Sequence, residues 1–478
     1  MKVLFLNPPA YKNFDGGAGS RYQATREVSS FWYPTWLCYS AGLVKESRVL
    51  DAPADHLELE DVVEIAKDYD AIVIYTSTPS FKKDVETARV LKETHPSNPI
   101  IGMVGPHPSV LAEETLQASP AIDFVARREF DYTILEIAEG KPWDKIKGLS
   151  YQKDGKIYHN EDREFIQDLD SLPFTTTIYH RDLHYRHYNI PYLLYPYISI
   201  YTGRGCPARC IYCLWPQTFS GHRYRTRSVD NVIAEVKNTL KLFPDVAEIF
   251  FDDDTFTANE ERVLEFCDKV KPLNITWSTT SRANVRYETL RKMKDSGLRL
   301  LVVGYETGNP RILKTIKKGI TLDQARKFTK NCKELGIQIH GTFILGLPEE
   351  NHQTIKDSIK FACEIDPDTI QVSLASAYPG TEFYRMCEER GYFVNPNWVD
   401  EGGYQFFNLK YDGISPQEIY KAVETFYKKF YYRPKRLSKI IFNMIIDPAE
   451  RKRRLEEGRE FKQFIKRRQE ILANWPST

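Results

Sequence analysis

The sequence predicts an α/β protein built from two successive parallel sheets and a helical tail, and three observations carry that prediction. Short apolar runs alternate with helix-period stretches through residues 1–140. The alternation restarts near residue 196 and repeats six times before residue 400. Beyond it come three helix-period segments, each opened by a proline. At 478 residues the chain is too long for one ordinary core, so the patterns read as separate units: 1–140, a linker at 141–195, 196–400 and a C-terminal region at 401–478.

In the first unit, residues 3–6 form an apolar run stopped by Asn7-Pro8-Pro9, as expected of a buried parallel strand ending at a functional loop. Further strands are expected at 49–50, 71–75, 100–104 and 124–126, with helices at 59–67, 83–93 and 110–117. This order makes an open, doubly wound, Rossmann-like sheet, whose ligands sit beyond the carboxyl ends of the strands. Those ends carry Asn7, then Thr76, Ser77, Thr78 and Ser80, then Gly105 and His107. Such small and hydroxyl side chains let a large flat ligand approach the backbone. His107, in a Pro-rich turn, reads as a loop hydrogen-bonder or as a ligand. A glycine-rich insertion at 14–22 and the aromatic run 31–36 read as a flap over a bound group, with plain packing as the alternative.

The linker carries Asp154-Gly155, a tight-turn signal flanked by 149–151 and 156–158, and is expected to hold a small hairpin. The next strands are expected at 197–201, 248–252, 275–279, 299–303, 338–343 and 369–374, with helices at 229–243, 259–270 and 322–335 among them. Six such units make most of a TIM-type (β/α)6 barrel, in which chemistry belongs at the carboxyl strand ends. Asp252, Asp253 and Asp254 fall there, followed by Ser281 and Arg282, Glu306 and Thr342. Three consecutive carboxylates suit a solvated turn, a hard cation or a bound ammonium. Arg223, Arg225 and Arg227 alternate as on a strand, facing either an anion or water.

Between the first and second of these strands lie Cys206, Cys210 and Cys213, with three and then two residues between them. Thiolates are the usual ligands of iron-sulfur clusters, and a cubane held by three of them leaves one iron with an open position. A zinc knuckle completed by His222 is the competing reading, although small zinc modules usually supply paired Cys/His couples within a short span. The N-terminus carries no signal-peptide pattern, so a reducing, cytoplasmic setting is expected and a disulfide is not. The remaining cysteines fall in apolar or helical contexts, where free Cys is commonly a small buried hydrophobe.

The spacing in Cys206-Pro207-Ala208-Arg209-Cys210-Ile211-Tyr212-Cys213 resembles the signature of the radical S-adenosylmethionine (SAM) enzymes. That resemblance implies a 4Fe-4S cluster whose open iron binds SAM and whose electron splits it to a 5'-deoxyadenosyl radical. It assigns Cys206, Cys210 and Cys213 to the metal and sets Tyr212 against adenine or over the cluster. Asp252, Asp253 and Asp254 then occupy the place of the family's Gly-Gly-Glu motif, which they do not match in letters, while Arg282 suits the SAM carboxylate. Glu306 and Thr342 lie in runs similar to recurring family segments. The loops at Asn7, Thr76–Ser80 and Gly105–Pro108 resemble the cobalamin-binding domain of one large subfamily, implying cobalamin. Adjacent Asp55-His56 departs from the usual Asp and His spacing, so no His ligand to cobalt is expected. The whole chain further resembles the hopanoid-biosynthesis branch that makes bacteriohopanetetrol cyclitol ether, implying ring contraction of a lipid-borne glucosamine. Methyl transfer dependent on cobalamin is the second enzymatic reading, and a zinc-stabilised binding protein the third. An electron donor of flavodoxin or ferredoxin type is implied with either chemistry.

Net charge is +1, with 42% hydrophobic residues, and no apolar run is long enough to span a bilayer. Near neutrality gives no overall pull toward nucleic acid, and none is expected as a partner. From residue 433 onward, however, 13 Lys and Arg face 6 Asp and Glu, which makes the tail +7 and everything before it -6. Helices are expected at 416–430, 434–446 and 448–475. The middle one is apolar at its centre and flanked by basic residues. Packing on the barrel is the expected fate of its apolar face. Peripheral contact with the inner membrane is the other reading.

Overall fold

The computed structural model describes residues 1–475 apart from 13, 20–22, 27, 447 and 474. Five strands, β1 (Val3–Asn7), β2 (Ser47–Asp51), β3 (Ala71–Tyr75), β4 (Ile100–Val104) and β5 (Phe124–Ala126), pair in parallel in the order 2-1-3-4-5. Their side chains are buried almost throughout because helices cover both faces, as the near-continuous apolar runs require. The hairpin β6 (Leu149–Lys153) and β7 (Lys156–His159) turns at Asp154 and Gly155, as read from the sequence, yet it is no linker feature: β6 pairs antiparallel with β5 and extends this sheet to seven strands. Its Leu149 and Tyr151 are buried in the same core as Phe124, which is why it stays with the first unit.

Six parallel strands form the second sheet, in the order β8 (Tyr197–Ile200), β11 (Glu248–Phe251), β12 (Trp277–Ser281), β13 (Leu298–Glu306), β14 (Gln338–Leu345) and β15 (Thr369–Leu374). A two-stranded ribbon, β9 (Gly203–Arg204) with β10 (Arg225–Thr226), closes the cysteine loop between β8 and β11. β15 is an edge strand, and three of its outward N–H groups find side-chain partners. Ile370 donates to the Tyr431 hydroxyl at 3.1 Å, Val372 to Tyr427 at 2.9 Å and Leu374 to Gln405 Oε1 at 2.9 Å. The helix Pro416–Tyr431 thus shields an edge that would otherwise be open to pairing. Its Ser415 cap and Glu418 form the capping box read from the sequence.

The remaining tail corrects an expectation. Helices Pro434–Ile446 and Pro448–Ala473 form, but the apolar face of the first does not pack on the barrel: Ile441, Phe442, Ile445 and Ile446 are 55–69% exposed. The edge strand is already covered by the preceding helix, leaving it no apolar counterpart. No described helix is long and apolar enough to cross a membrane.

Arg225 and Arg227 also depart from both sequence readings. Arg225 donates to Glu129 at 2.6 and 2.9 Å and Arg227 pairs with Glu235, all four buried. Only Arg223 faces solvent. The aromatic run behaves as packing in the main, with Phe31, Tyr33 and Trp36 buried in a core shared by both units. Trp32 nevertheless faces a cavity together with Gln23 and Arg26, so the insertion also serves as a cover. Ser20, Arg21 and Tyr22 of that insertion lie outside the described residues.

Candidate active site

A cavity of about 350 Å³ opens at the carboxyl ends of β12–β15, against the cysteine loop. Its lining includes Cys206, Cys210 and Cys213, and beside them Tyr212, Asp254, Ser281, Arg282, Glu306 and Thr342, so nine of the sequence-derived candidates converge on one space. The cysteines come together because the chain reverses within the β9–β10 ribbon, where Cys206 N–H donates to Gly221 O at 3.2 Å. Gln217 secures the turn. Its Nε2 reaches the carbonyls of Cys210, Ile211 and Cys213 at 3.3, 3.0 and 2.8 Å, while its Oε1 accepts from Glu382 N at 2.8 Å. Nothing in the sequence pattern distinguished Gln217.

The aspartate run follows the end of β11 at Phe251 and divides among different partners. Asp254 lines the cavity and accepts from Gly205 N–H at 3.0 Å and Ser220 Oγ at 2.9 Å, bracing the loop from the side of β11. Asp252 and Asp253 do not line it, which corrects their assignment to a bound ammonium. Asp253 is fully buried and accepts from Thr202 N–H, Thr202 Oγ1 and Tyr224 OH at 2.5–2.6 Å, while Asp252 accepts from Tyr201 OH at 3.2 Å. The three carboxylates lie past the end of β11, and each is taken by a different set of donors, so they do not serve one ligand together.

Glu306 ends β13 in the left-handed region, at φ +65°, where the pairing with β14 slips by one residue after Gly304. Such bulges re-aim a side chain, and here the carboxylate turns onto Lys318 Nζ at 2.6 Å. Both side chains are under 9% exposed. Burial pulls the Lys318 pKa down, but the Glu306 carboxylate together with Cys210 offsets it and holds the amine above its ordinary value. A Cβ on Gly304 would lie 2.2 Å from Glu306 Oε1 and 2.8 Å from Lys318 Nζ, so a side chain there would have to displace the pair. Burial, and after it Glu306, raises the Tyr212 phenol well above its usual range, so it keeps its proton. Arg282 donates to the Lys318 carbonyl. Lys318 lacked any sequence signal beyond being a lysine near a glycine.

Three thiols, two of them buried, beside Arg282 and Lys318 as compensating cations, with no further cysteine or histidine among the described residues lining the cavity, fit a cluster with one open iron. His222 does not join them: its Nδ1–H donates to the Ala208 carbonyl at 3.1 Å, and it is absent from the cavity lining. The first sheet holds the second group of candidates at its carboxyl strand ends. At the ends of β1, β3 and β4, Asn7 Oδ1, Thr76 Oγ1 and His107 Nε2 are buried without a hydrogen-bond partner. Ser77 and Ser80 pair at 2.8 Å, and Ser80 donates to the buried Asp84 at 2.7 Å. Gly105 sits at φ +114°, where a Cβ would fall 2.5 Å from Thr76 O. His107 meets Thr78 Oγ1 through Nδ1 at 3.3 Å, and burial lowers its pKa to about 4. Orphaned donors and acceptors beside a glycine that leaves no room for a side chain fit a large polar-edged cofactor such as cobalamin. Asp55 meanwhile holds His184 and His187 at 3.0 and 2.9 Å, and the His56 ring packs on Phe31.

Comparison with known proteins agrees with this division. Residues 24–138 match the B12 binding domain and residues 200–362 the radical SAM superfamily. The chain is 32% identical over 462 residues to an uncharacterized methyltransferase of Pyrococcus horikoshii, covering 92% of this chain and 95% of that one. It is 23% identical over 458 residues to the anaerobic magnesium-protoporphyrin IX monomethyl ester cyclase of Cereibacter sphaeroides, covering 91% and 71%. The fold superposes on the radical SAM methyltransferase TsrM of Kitasatospora setae, solved with cobalamin and a [4Fe-4S] cluster, with a TM-score of 0.65 at 14% identity over 90% and 89% of the two chains. When bound, the cluster supplies an electron to SAM, and cobalamin supplies a metal that carries alkyl groups or electrons. Joined domains of these two kinds, with their site geometry and a full-length relative, make the chain a member of the cobalamin-binding radical SAM enzymes, whose cofactors are a 4Fe-4S cluster, SAM and cobalamin.

Proposed function

We propose that the protein is a cobalamin-dependent radical SAM methyltransferase acting on a polar substrate held in the 350 Å³ cavity. One observation carries this reading: the cavity is bounded by the cysteine loop of the barrel and by Gln23, Arg26 and Trp32, which precede the first helix of the B12-type unit. A substrate there meets both halves of the enzyme at once. The names of the Pyrococcus horikoshii relative and of TsrM support methyl transfer. In this reading Cys206, Cys210 and Cys213 hold the cluster, and Arg282, Glu306 and Tyr212 orient SAM. Asn7, Thr76, Ser77, Thr78, Ser80, Gly105 and His107 receive cobalamin, and a flavodoxin- or ferredoxin-type protein supplies electrons.

A second reading, rearrangement of the glucosamine head group of a bacteriohopanetetrol lipid to a cyclitol ether, is favoured by the rest of the lining. Gln23, Gln371, Ser373 and Ser376 offer neutral amides and hydroxyls, the donors and acceptors that match sugar hydroxyls. The Gln23 amide is 2% exposed, with both polar atoms lacking a partner. Anaerobic incubation with SAM, a reductant, cobalamin and the candidate glucosaminyl lipid separates the two. Methyl transfer yields S-adenosylhomocysteine together with 5'-deoxyadenosine and adds a methyl group to the substrate. Rearrangement yields neither S-adenosylhomocysteine nor an added methyl. Loss of all products in Cys210→Ala is expected in both cases, and full turnover in that variant would overturn both.

A further inference from the structure

The exposed apolar side chains of this molecule are concentrated on one helix. On Pro434–Ile446, Leu437, Ile441 and Ile445 recur every fourth residue, and Phe442 and Ile446 lie beside the last two. They are 37%, 55%, 69%, 60% and 62% exposed, a continuous stripe along one face. The N-terminal end of the helix is fixed to the barrel: Arg433 donates to Asp366, and the buried Arg436 donates to the carbonyls of Pro367 and Asp368. The stripe is therefore held in place while its apolar face meets solvent. Lys429, Lys435 and Arg451, all exposed, rim it at both ends.

We propose that Pro434–Ile446 is a surface anchor that lies in the headgroup layer of a bilayer containing anionic lipid. At 13 residues it spans about 20 Å, short of the ~30 Å hydrocarbon core, so it lies on the membrane and does not cross it. Charge selects the occupant. From residue 433 onward the chain carries +7, and a second copy docked face to face would bring two such tails together, whereas an anionic surface attracts both the rim and the tail. The anchor also leads to the cavity. The next helix, Pro448–Ala473, receives Ser29 N–H on Glu460 at 2.7 Å, within the segment whose Gln23, Arg26 and Trp32 cover the cavity.

The test is flotation of the full-length, cluster-loaded protein with vesicles of phosphatidylcholine containing about 30% phosphatidylglycerol, and with phosphatidylcholine alone. Binding is expected to be at least about tenfold stronger to the anionic vesicles and to fall with added salt. Phe442→Glu/Ile445→Glu is expected to lose at least about tenfold of that binding with its thermal midpoint and circular dichroism unchanged, since both side chains are exposed. Lys435→Glu/Arg451→Glu is expected to lose the preference for anionic lipid. Equal flotation of wild type and Phe442→Glu/Ile445→Glu overturns the proposal. So does an absence of wild-type flotation, and so does a concentration-dependent dimer that the same two substitutions dissociate, which would assign the stripe to a second copy.

Discussion

Arg204, two residues before the first cluster cysteine, donates both terminal nitrogens to the Asp131 carboxylate at 2.9 and 3.1 Å, with both side chains 2% exposed. Its guanidinium also lies 4.6 Å over the rings of Trp36 and Tyr39. Asp131 opens the helix that follows β5, and its neighbour Glu129 accepts from Arg225 on the strand paired with β9. The cysteine loop is thus anchored through β9 and β10 to carboxylates of the other domain, so the placement of Cys206, Cys210 and Cys213 depends on the B12-type unit. Bidentate arginine–carboxylate geometry fixes direction as well as distance.

Removing one member of this buried set leaves a charge without its partner. Asp131→Ala is expected to cost about 3–5 kcal/mol, read as a lowered midpoint in anaerobic urea unfolding, and to reduce iron retained on reconstitution. A double-variant cycle with Arg204→Ala should return a coupling of at least about 1 kcal/mol. Additive losses would show that the two side chains act separately.

Glu306 and Lys318 make the second buried pair, inside the cavity. Glu306→Gln keeps the shape and removes the charge. SAM affinity by equilibrium dialysis is expected to fall about tenfold to a hundredfold, the range of a lost charge-assisted hydrogen bond, while iron and sulfide content stay the same. Unchanged affinity would place Glu306 in the structure of the loop only.

Most of the barrel was legible in the sequence because its strands are apolar runs bounded by turn residues, and the edge strand Thr369–Leu374 has the predicted bounds. The cysteines were legible as a metal-binding pattern, with zinc left open beside an iron-sulfur cluster, and the fold brings all three to one cavity. What escaped was anything fixed by three-dimensional pairing. Arg225 and Arg227 look like any alternating basic residues until Glu129 and Glu235 arrive from elsewhere in the chain. Asp252, Asp253 and Asp254 look equivalent until the backbone turns them different ways. Lys318 and Gln217 carry no pattern at all. The middle tail helix misled for a related reason: an apolar face announces that something covers it, and leaves open whether that is protein.

His107 gives a pH dependence with a definite sign. Burial lowers its pKa to about 4, against about 6.5 in the unfolded chain. Between those values the unfolded state binds the extra proton, so stability rises with pH there; what the neutral imidazole contributes is lost as pH falls from 6.5 toward 4. The full shift corresponds to roughly 3 kcal/mol at 1.36 kcal/mol per unit. Buried carboxylates with raised values, such as Asp51 at about 7, act in the opposite direction. The measurement is therefore a difference: urea unfolding at pH 6.5 and 4.5 for wild type and His107→Asn. Wild type should lose more stability than the variant on acidification; equal losses would mean that this imidazole titrates normally in the fold.

Gln217 is the sharpest test of how the cysteine loop is held. Its amide donates toward three carbonyls of that loop and accepts from the start of the helix Glu382–Glu389, joining the cysteine loop to the end of the barrel. Gln217→Ala removes these bonds and leaves every thiol in place. At about 1 kcal/mol for each neutral hydrogen bond, and with the 3.3 Å contact the weakest, the loop should lose about 2–3 kcal/mol of local stability, which is a thirtyfold to hundredfold larger open population. Global unfolding should change less, because the loop opens by itself. Iron release to a chelator, followed anaerobically by the visible absorption of the cluster, should therefore accelerate by at least about tenfold while the thermal midpoint moves only a few degrees. Gln217→Glu separates the two halves of the role. Its carboxylate can still accept from Glu382 N–H but cannot donate to the carbonyls, so it should release iron as fast as Gln217→Ala. If Gln217→Glu held iron like the wild type, the bond to Glu382, and not the three to the cysteine loop, would be what keeps the ligands in register.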